Sequence, residues 1–308
     1  MAQNISTVST VGRVGVAPLA GGSRGTSRRV GVALIYIVLV LGALTVLLPF
    51  YSQIATSLKD TNQIAVGSSL SFPNPIRWRN YIDAFTTPGT SFGYYFLNTI
   101  LVELGVLGGT LLTTTMTAYA FARLNAPFKN QLFFLVLALI AIPGVILLVP
   151  QYFIYNKLGL VNTLWPLIIP AFLGGSPAFI FLLRQFFLSI PSEMGEAAVM
   201  DGANTITTLF RIYVPLAKPA LATVAIFVFI GQWHDFFGPL IYLSGEHNLT
   251  LALGINQFVA NQSGGGSQST PWDLLQAASM AIVLPPLLVF IFFQRFFIEG
   301  ITLGGVKG

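Results

Sequence analysis

The chain has 308 residues, 54% of them hydrophobic and only 8% charged, with a mean hydropathy of +0.77. A soluble domain carries about 25% charged residues, so this balance excludes an ordinary soluble fold and places the chain in lipid. The lack of cysteine excludes disulfides and thiolate metal sites, and the net charge of +5 is scattered rather than clustered, which argues against a nucleic-acid surface.

Residues 1–29 are rich in Gly, Ser, Thr and Val and carry Arg13, Arg24, Arg28 and Arg29 without any acid. They read as a disordered basic tail ahead of a membrane domain covering 30–308. A signal peptide is the rival reading. However, Val30 to Leu58 is uncharged throughout, longer than the roughly 7–15 residues of a signal core, which favours an uncleaved first span.

Six apolar segments predict six transmembrane helices, near residues 30–54, 94–117, 131–151, 164–186, 218–241 and 273–295. Most approach the ~20 residues needed to cross the hydrocarbon. The fifth carries Asp235 at its end. Prolines 143, 150, 166, 170, 177, 239, 285 and 286 fall in or beside these spans, so kinks packed against neighbouring helices are expected. The predicted fold class is therefore an all-α polytopic membrane protein with a helix–Gly–helix connector.

The basic residues give the orientation. With the N-terminus in the cytoplasm, eleven fall inside (Arg13, Arg24, Arg28, Arg29, Arg123, Lys129, Arg184, Arg211, Lys218, Arg295 and Lys307). Four fall outside: Lys59, Arg77, Arg79 and Lys157. The positive-inside rule selects this arrangement, with both termini cytoplasmic. The outer segment 57–93 contains FPNPIRWRNYIDAF, whose prolines, Trp78 and Tyr81 suggest a structured cap or, more plainly, an aromatic belt anchor. Segment 261–270, NQSGGGSQST, reads as a flexible outer loop.

The most informative connector is 191–219, between the fourth and fifth spans, which holds Glu193, Glu196 and Asp201. Ser192 is placed to cap a short helix, with Glu193 and Glu196 near its positive end. Gly202 is placed to take the left-handed conformation that ends it. A second short helix over 206–214 is expected to stop at Pro215. The result is a knob presenting Ala197, Ala198 and Ala203 beside a few charges.

Other chemistry is sparse. A phosphate-binding loop needs Gly-Lys followed by Ser or Thr, and no lysine here follows a glycine. The two histidines, His234 and His247, lack metal-ligand spacing. An enzyme is not expected. Glu103 lies deep in an apolar span, where it either serves a solute path or is a structural carboxyl. Trp233, His234 and Asp235 sit near the end of the fifth span. They can line a solute cavity, rings stacking on sugar faces, or form an interfacial belt with a satisfied helix end.

Glu196-Ala197-Ala198, Asp201-Gly202-Ala203, Phe210, Ile212, Pro215-Leu216 and Pro219 together resemble the EAA loop of ABC-importer permeases. FPNPIRWRNY, AYAFAR, LGLVNT and the tail EGITLGGVKG further resemble the carbohydrate-uptake branch, specifically its maltose-type second permease. These matches run from about residue 72 to the end; residues 1–29 and the Gly-Ser loop have no counterpart. The resemblance implies an ATP-driven importer for a sugar or oligosaccharide in a prokaryotic plasma (inner) membrane. It implies as partners a second homologous permease chain, an ABC ATPase dimer and an extracytoplasmic solute-binding protein. ATP would bind the ATPase, so no cofactor is expected on this chain. Glu196, Ala197, Ala198, Asp201, Gly202 and Ala203 would dock into the ATPase. Gly300, Gly304, Gly305 and Lys307, in an extended tail over 297–308, would contact it. An ion-gradient-driven secondary transporter and an ABC permease for a non-sugar solute are the alternatives. The first is disfavoured because no inverted repeat is visible and only Glu103 is a mid-membrane charge.

The charge distribution generates a topology prediction. Cysteines introduced by Ser23→Cys, Thr207→Cys and Val306→Cys will be shielded from an impermeant thiol reagent in intact cells, whereas Gly265→Cys will label. Labelling of Thr207→Cys from outside would reverse the orientation.

Overall fold

The computed structural model describes residues 24–86, 91–245, 247–264 and 271–305. The described residues are helical, joined by short turns, with no strand among them. The chain divides into two units, one ending at Tyr51 and one running from Ser52. The first unit is the body of α1 (Arg24–Ser57), apolar on every side from Val30 onward, as a lipid-facing span is. The helix begins at Arg24, so the last residues assigned to the basic tail are its first turn; the rest of the tail lies outside the described residues.

In the second unit the elements are α2 (Thr61–Val66), α3 (Arg79–Thr86), α4 (Phe92–Arg123), α5 (Lys129–Ala138), α6 (Gly144–Lys157), α7 (Trp165–Ile168), α8 (Pro177–Ser189) and α9 (Ser192–Met200). After these come α10 (Thr205–Thr208), α11 (Val214–Leu216), α12 (Lys218–Trp233), α13 (Phe237–Tyr242), α14 (Leu251–Gly264) and α15 (Trp272–Gly305). Four helices are long and apolar enough to cross a membrane, or up to six if each of two bent pairs is one span.

The bends follow from proline. A single turn of 3-10 helix extends α5 to Ala141, and the chain then turns by 98° into α6. Ile142, forced extended by Pro143 behind it, is the hinge. The span 164–186 is broken as well: α7 passes into a 3-10 turn over Ile169–Phe172, and α8 starts afresh at Pro177. The expected fifth span is shorter than 218–241. α12 stops at Trp233 because His234 folds its ring onto the Ile230 carbonyl (3.0 Å) and Asp235 accepts the Gly238 N–H (3.2 Å), restarting the chain as α13. Pro150, Pro285 and Pro286 sit inside helices that continue past them.

α4 is the axis of this unit and packs against α8, α12, α14 and the 3-10 turn. Its Gly105 and Gly109 let it approach closely. A Cβ on Gly105 would meet Ile168 at 2.9 Å, and one on Gly109 would meet the Phe172 ring at 2.7 Å. Small residues four apart are a common device for packing helices in lipid. α14, which the hydropathy pattern does not single out, lies along the first half of α4. Asn98 donates to the His247 and Leu249 carbonyls (2.8 and 3.0 Å), and the Thr99 hydroxyl accepts the Leu251 N–H (2.8 Å).

The segment after α1 is a structured cap. Lys59 is 1% exposed; its ammonium donates to the carbonyls of Ser68 and Ser69, and burial lowers its pKa from the ordinary lysine value. Asn80, also buried, donates to the carbonyls of Ser57 (3.0 Å) and Lys59 (2.6 Å), and the Tyr81 and Ser57 hydroxyls are 2.8 Å apart. Trp78 is 68% exposed, as a belt residue would be.

Asn80 thus satisfies two carbonyls that no water reaches. Asn80→Ala leaves both short of a donor and is expected to cost roughly 2 kcal/mol. The check is thermal unfolding of the purified protein in detergent; an unchanged midpoint would show that the cap is not held by this residue.

Candidate functional site

The connector between α8 and α12 is built as a knob. α9 begins one residue earlier than expected: Pro191 occupies the capping position, and Ser192, the expected cap, is the first helical residue and makes no side-chain capping bond. Pro191 preorganises the entry without supplying a hydroxyl, and Glu193 sits in the positively polarised first turn. The exit is a Schellman turn. Ala203 N–H reaches back to the Ala198 carbonyl (2.9 Å) and Gly202 N–H to Val199 (3.0 Å), with Gly202 at φ +83°. Only glycine takes this conformation without strain.

Asn204 then caps α10, its Oδ1 accepting the Thr207 N–H at 2.8 Å. The stop expected at Pro215 falls one residue past it, at Leu216. A π turn over Leu209–Tyr213 widens the helix ahead of Pro215, whose ring would otherwise meet the carbonyl four residues back. The helical run therefore continues to Leu216 and bends by 83° into α12, where Pro219 lies in the first turn.

Glu196, Ala197, Asp201 and Gly202 are exposed, Ala203 is half-buried and Ala198 faces inward. Five of the six reach the surface, flanked by exposed Met194, Val199 and Met200. A groove of about 500 Å³ lies along one side, lined by Ala197, Asp201, Gly202, Asn204 and Arg211. A second, of about 590 Å³, lies along the other and is lined by Tyr119, Arg123, Lys129, Glu196 and Tyr213.

Beneath the knob is a joint that the sequence reading did not identify. A Cβ on Gly195 would stand 2.6 Å from the Tyr213 hydroxyl, so α9 rests directly on that ring. Tyr213, Tyr119 and Phe187 form a buried aromatic cluster with centroids 5.1 to 6.1 Å apart. The Arg123 guanidinium, at the end of α4, lies 5.1 Å from the Tyr213 centroid and donates to the backbone carbonyls of Phe187 and Ile190. One arginine thus ties the axial helix to the last turn of α8, immediately before α9. Its only trace in the sequence is the Arg of AYAFAR, one of the eleven basic residues assigned to the inside.

The proposed solute-path residues are not gathered at one place. Glu103 is buried within α4, 3% exposed, and neither carboxyl oxygen has a hydrogen-bond partner. Trp233 is 2% exposed, donating from Nε1 to the Ile282 carbonyl (2.8 Å) and stacking on Phe229. His234 is exposed, and Asp235 is half-buried with its carboxylate turned back onto its own backbone. Among the described residues no group of acidic or histidine side chains is placed to hold a metal ion. The tail differs from the extended segment expected. α15 continues through Gly300, Gly304 and Gly305, carried by the apolar run before them, and Lys307 lies outside the described residues.

Comparison with known proteins agrees with this geometry. Residues 109–302 match the family described as binding-protein-dependent transport system inner membrane component. The chain is 33% identical over 262 residues to the arabinooligosaccharides transport system permease protein AraQ of Halalkalibacterium halodurans, covering 84% of this chain and 91% of that one. It is 32% identical to the diacetylchitobiose uptake system permease protein NgcG of Streptomyces coelicolor, covering 90% and 89%. Its fold is like that of a chain in the crystal structure of a bacterial ABC transporter involved in the import of the acidic polysaccharide alginate. The TM-score there is 0.76 at 23% identity, covering 88% of this chain and 98% of that one. The chain belongs to the binding-protein-dependent transport system inner membrane component family: it is a multi-pass permease subunit of an ABC importer.

Arg123→Met removes the joint while keeping the apolar stem. It leaves the Ile190 carbonyl without a donor and the Phe187 carbonyl with only the Ile190 N–H, and is expected to loosen residues 187–200, raising their backbone hydrogen exchange about tenfold or more, a shift of roughly 1.4 kcal/mol. Unchanged exchange would mean that the aromatic cluster alone seats α9.

Proposed function

We propose that this chain is one of two permease halves of an ATP-driven importer for a sugar or oligosaccharide, and that the surface from Glu196 to Ala203 is where a separate ATPase grips it. The observation that carries this reading is the Schellman-closed α9, a short helix with exposed small residues at its tip and a buried joint to the spanning helices beneath. Ala197 lets a partner surface come close, while Glu196 and Asp201 offer charges to its cationic groups. Gly202 sets the angle between α9 and the helix that follows. A push on this knob passes through Gly195 and Tyr213 to Arg123 and so to α4.

The reading places the knob and both termini in the cytoplasm, in line with the basic-residue count. It puts ATP on the partner subunit, so this chain needs no cofactor and catalyses nothing itself. A second homologous permease chain completes the path, and an extracytoplasmic binding protein delivers the solute. Two relatives carry oligosaccharides in their names, which supports that solute class. In the same reading the glycine-rich end of α15 approaches the ATPase, and Glu103 with the Trp233–Asp235 turn belongs to the walls of the path.

Gly202→Val tests the coupling. A β-branched residue at positive φ costs on the order of 1–2 kcal/mol, enough to reorient α9 against α10. The protein will still insert and reach normal membrane levels, because the strain lies outside the spans. ATPase retained on co-purification will fall, or its hydrolysis will no longer rise with solute; Gly202→Ala will do the same more mildly. Normal transport by Gly202→Val would make this loop an ordinary connector.

A further inference from the structure

The second groove beside α9 lies where three apolar spans reach the membrane surface. The span Phe92–Arg123 ends at it, the span Trp165–Ser189 ends just before Ser192, and a bent span opens at Lys129. Arg123, Lys129 and Ser192, one from each of these ends, are all among its walls. It is therefore at the level where hydrocarbon gives way to headgroups and water. The two grooves also differ in charge. Asp201 and the small residues assigned to the ATPase line the first, whereas Arg123 and Lys129 line the second.

This second groove, about 590 Å³ in volume, is lined with donors that have nothing to hold. Arg123 spends Nη2 on the Phe187 and Ile190 carbonyls, but its Nε is buried without an acceptor and its Nη1 makes no hydrogen bond among the described residues. Lys129 donates to the Leu124 carbonyl (2.9 Å), which leaves its other ammonium protons free. Tyr119 and Tyr213 are only 6% and 2% exposed. Both line the groove, yet neither hydroxyl has a hydrogen-bond partner among the described residues. Buried hydroxyls ordinarily find one. Two of them left unmatched beside two cations call for a ligand rich in acceptor oxygens. Glu196, the carboxylate on the rim, is exposed and makes no ion pair with either cation.

The mouth of the groove runs on into an apolar surface. Lys129 opens α5 and shares a face of it with Leu132, 50% exposed, and Phe128 beside it is 72% exposed. We propose that the groove holds the phosphate of an anionic phospholipid whose acyl chains lie along Phe128 and Leu132. Arg123 and Lys129 meet the phosphate with charge-assisted hydrogen bonds, and the two tyrosine hydroxyls donate to its remaining oxygens. A basic pocket between spanning helices on the cytoplasmic side, where the basic-residue count puts this groove, suits such a headgroup. The lipid lies against α9 from the membrane side and braces it on the ends of α4 and α8, leaving the opposite groove to the ATPase.

The test uses the full chain purified in detergent and needs neither ATPase nor solute, so it stands whether or not the importer reading does. Native mass spectrometry is expected to show phosphatidylglycerol bound about fivefold or more tighter than phosphatidylcholine, and Lys129→Gln to erase that preference while Lys129→Arg keeps it. The double variant Tyr119→Phe with Tyr213→Phe keeps both rings and is expected to weaken phosphatidylglycerol binding about threefold or more without lowering the unfolding midpoint. Phosphatidylglycerol is also expected to slow backbone exchange over residues 192–200 in the wild type and not in Lys129→Gln. Equal binding of the two lipids, or a phosphatidylglycerol affinity unmoved in either Lys129→Gln or the double variant, would overturn the proposal. Inorganic phosphate that slows the same exchange equally well without lipid would assign the groove to a soluble phosphate and overturn the lipid.

Discussion

Within a bilayer every backbone N–H and C=O must find its partner inside the protein or along a wet path, because the hydrocarbon offers none. This constraint explains why the described residues are almost entirely helical, and it gives meaning to the places where they are not. Among the interruptions are those at Ile142–Pro143, at Leu173–Ser176 and at Ala217. Two of these interruptions are hinges beside prolines. The other sits against a line of threonines on α4, whose hydroxyls supply some of the bonds that lipid would deny.

α4 answers to this constraint more than any other element. Its glycines bring the broken helix close, its Thr99 and Asn98 hold the entry to α14, and its last residue reaches the turn before the knob. One long helix therefore touches the cap that follows α1, the interruption between α7 and α8 and the joint beneath the surface proposed to meet the ATPase. A rigid element with contacts of this kind can carry a displacement from one end to the other without intervening loops absorbing it.

Much of this was legible in the sequence. Composition and run length gave the spans, since a hydrocarbon-crossing helix has no choice about its polarity. Gly202 was legible because a left-handed turn after a short helix has a residue-type requirement, and the structure places it at φ +83°. Pro215 marked the end of the second short helix to within one residue; what it did not reveal is the π turn ahead of it, which creates the room its ring needs. The break at Gly174–Gly175 sat in plain view as a Gly-Gly-Ser-Pro run but was absorbed into an apolar span by averaging. α14 was missed for the reverse reason, being too short for a span and too weakly patterned to stand out. The joint at Arg123 left almost no signature, because its partners are backbone atoms 64 and 67 residues further along the chain.

Those partners have a genetic consequence. The guanidinium holds peptide carbonyls, which every residue type possesses, so substitutions at Phe187 or Ile190 that keep the local backbone leave its hydrogen bonds in place. The opposite holds for the arginine: no replacement at 187 or 190 supplies the missing donor, since what they contribute is already only an acceptor. Compensating changes for a lost Arg123 should therefore map away from its hydrogen-bond partners, to positions such as Tyr119 or Tyr213 from which a new donor can be presented to the same two carbonyls.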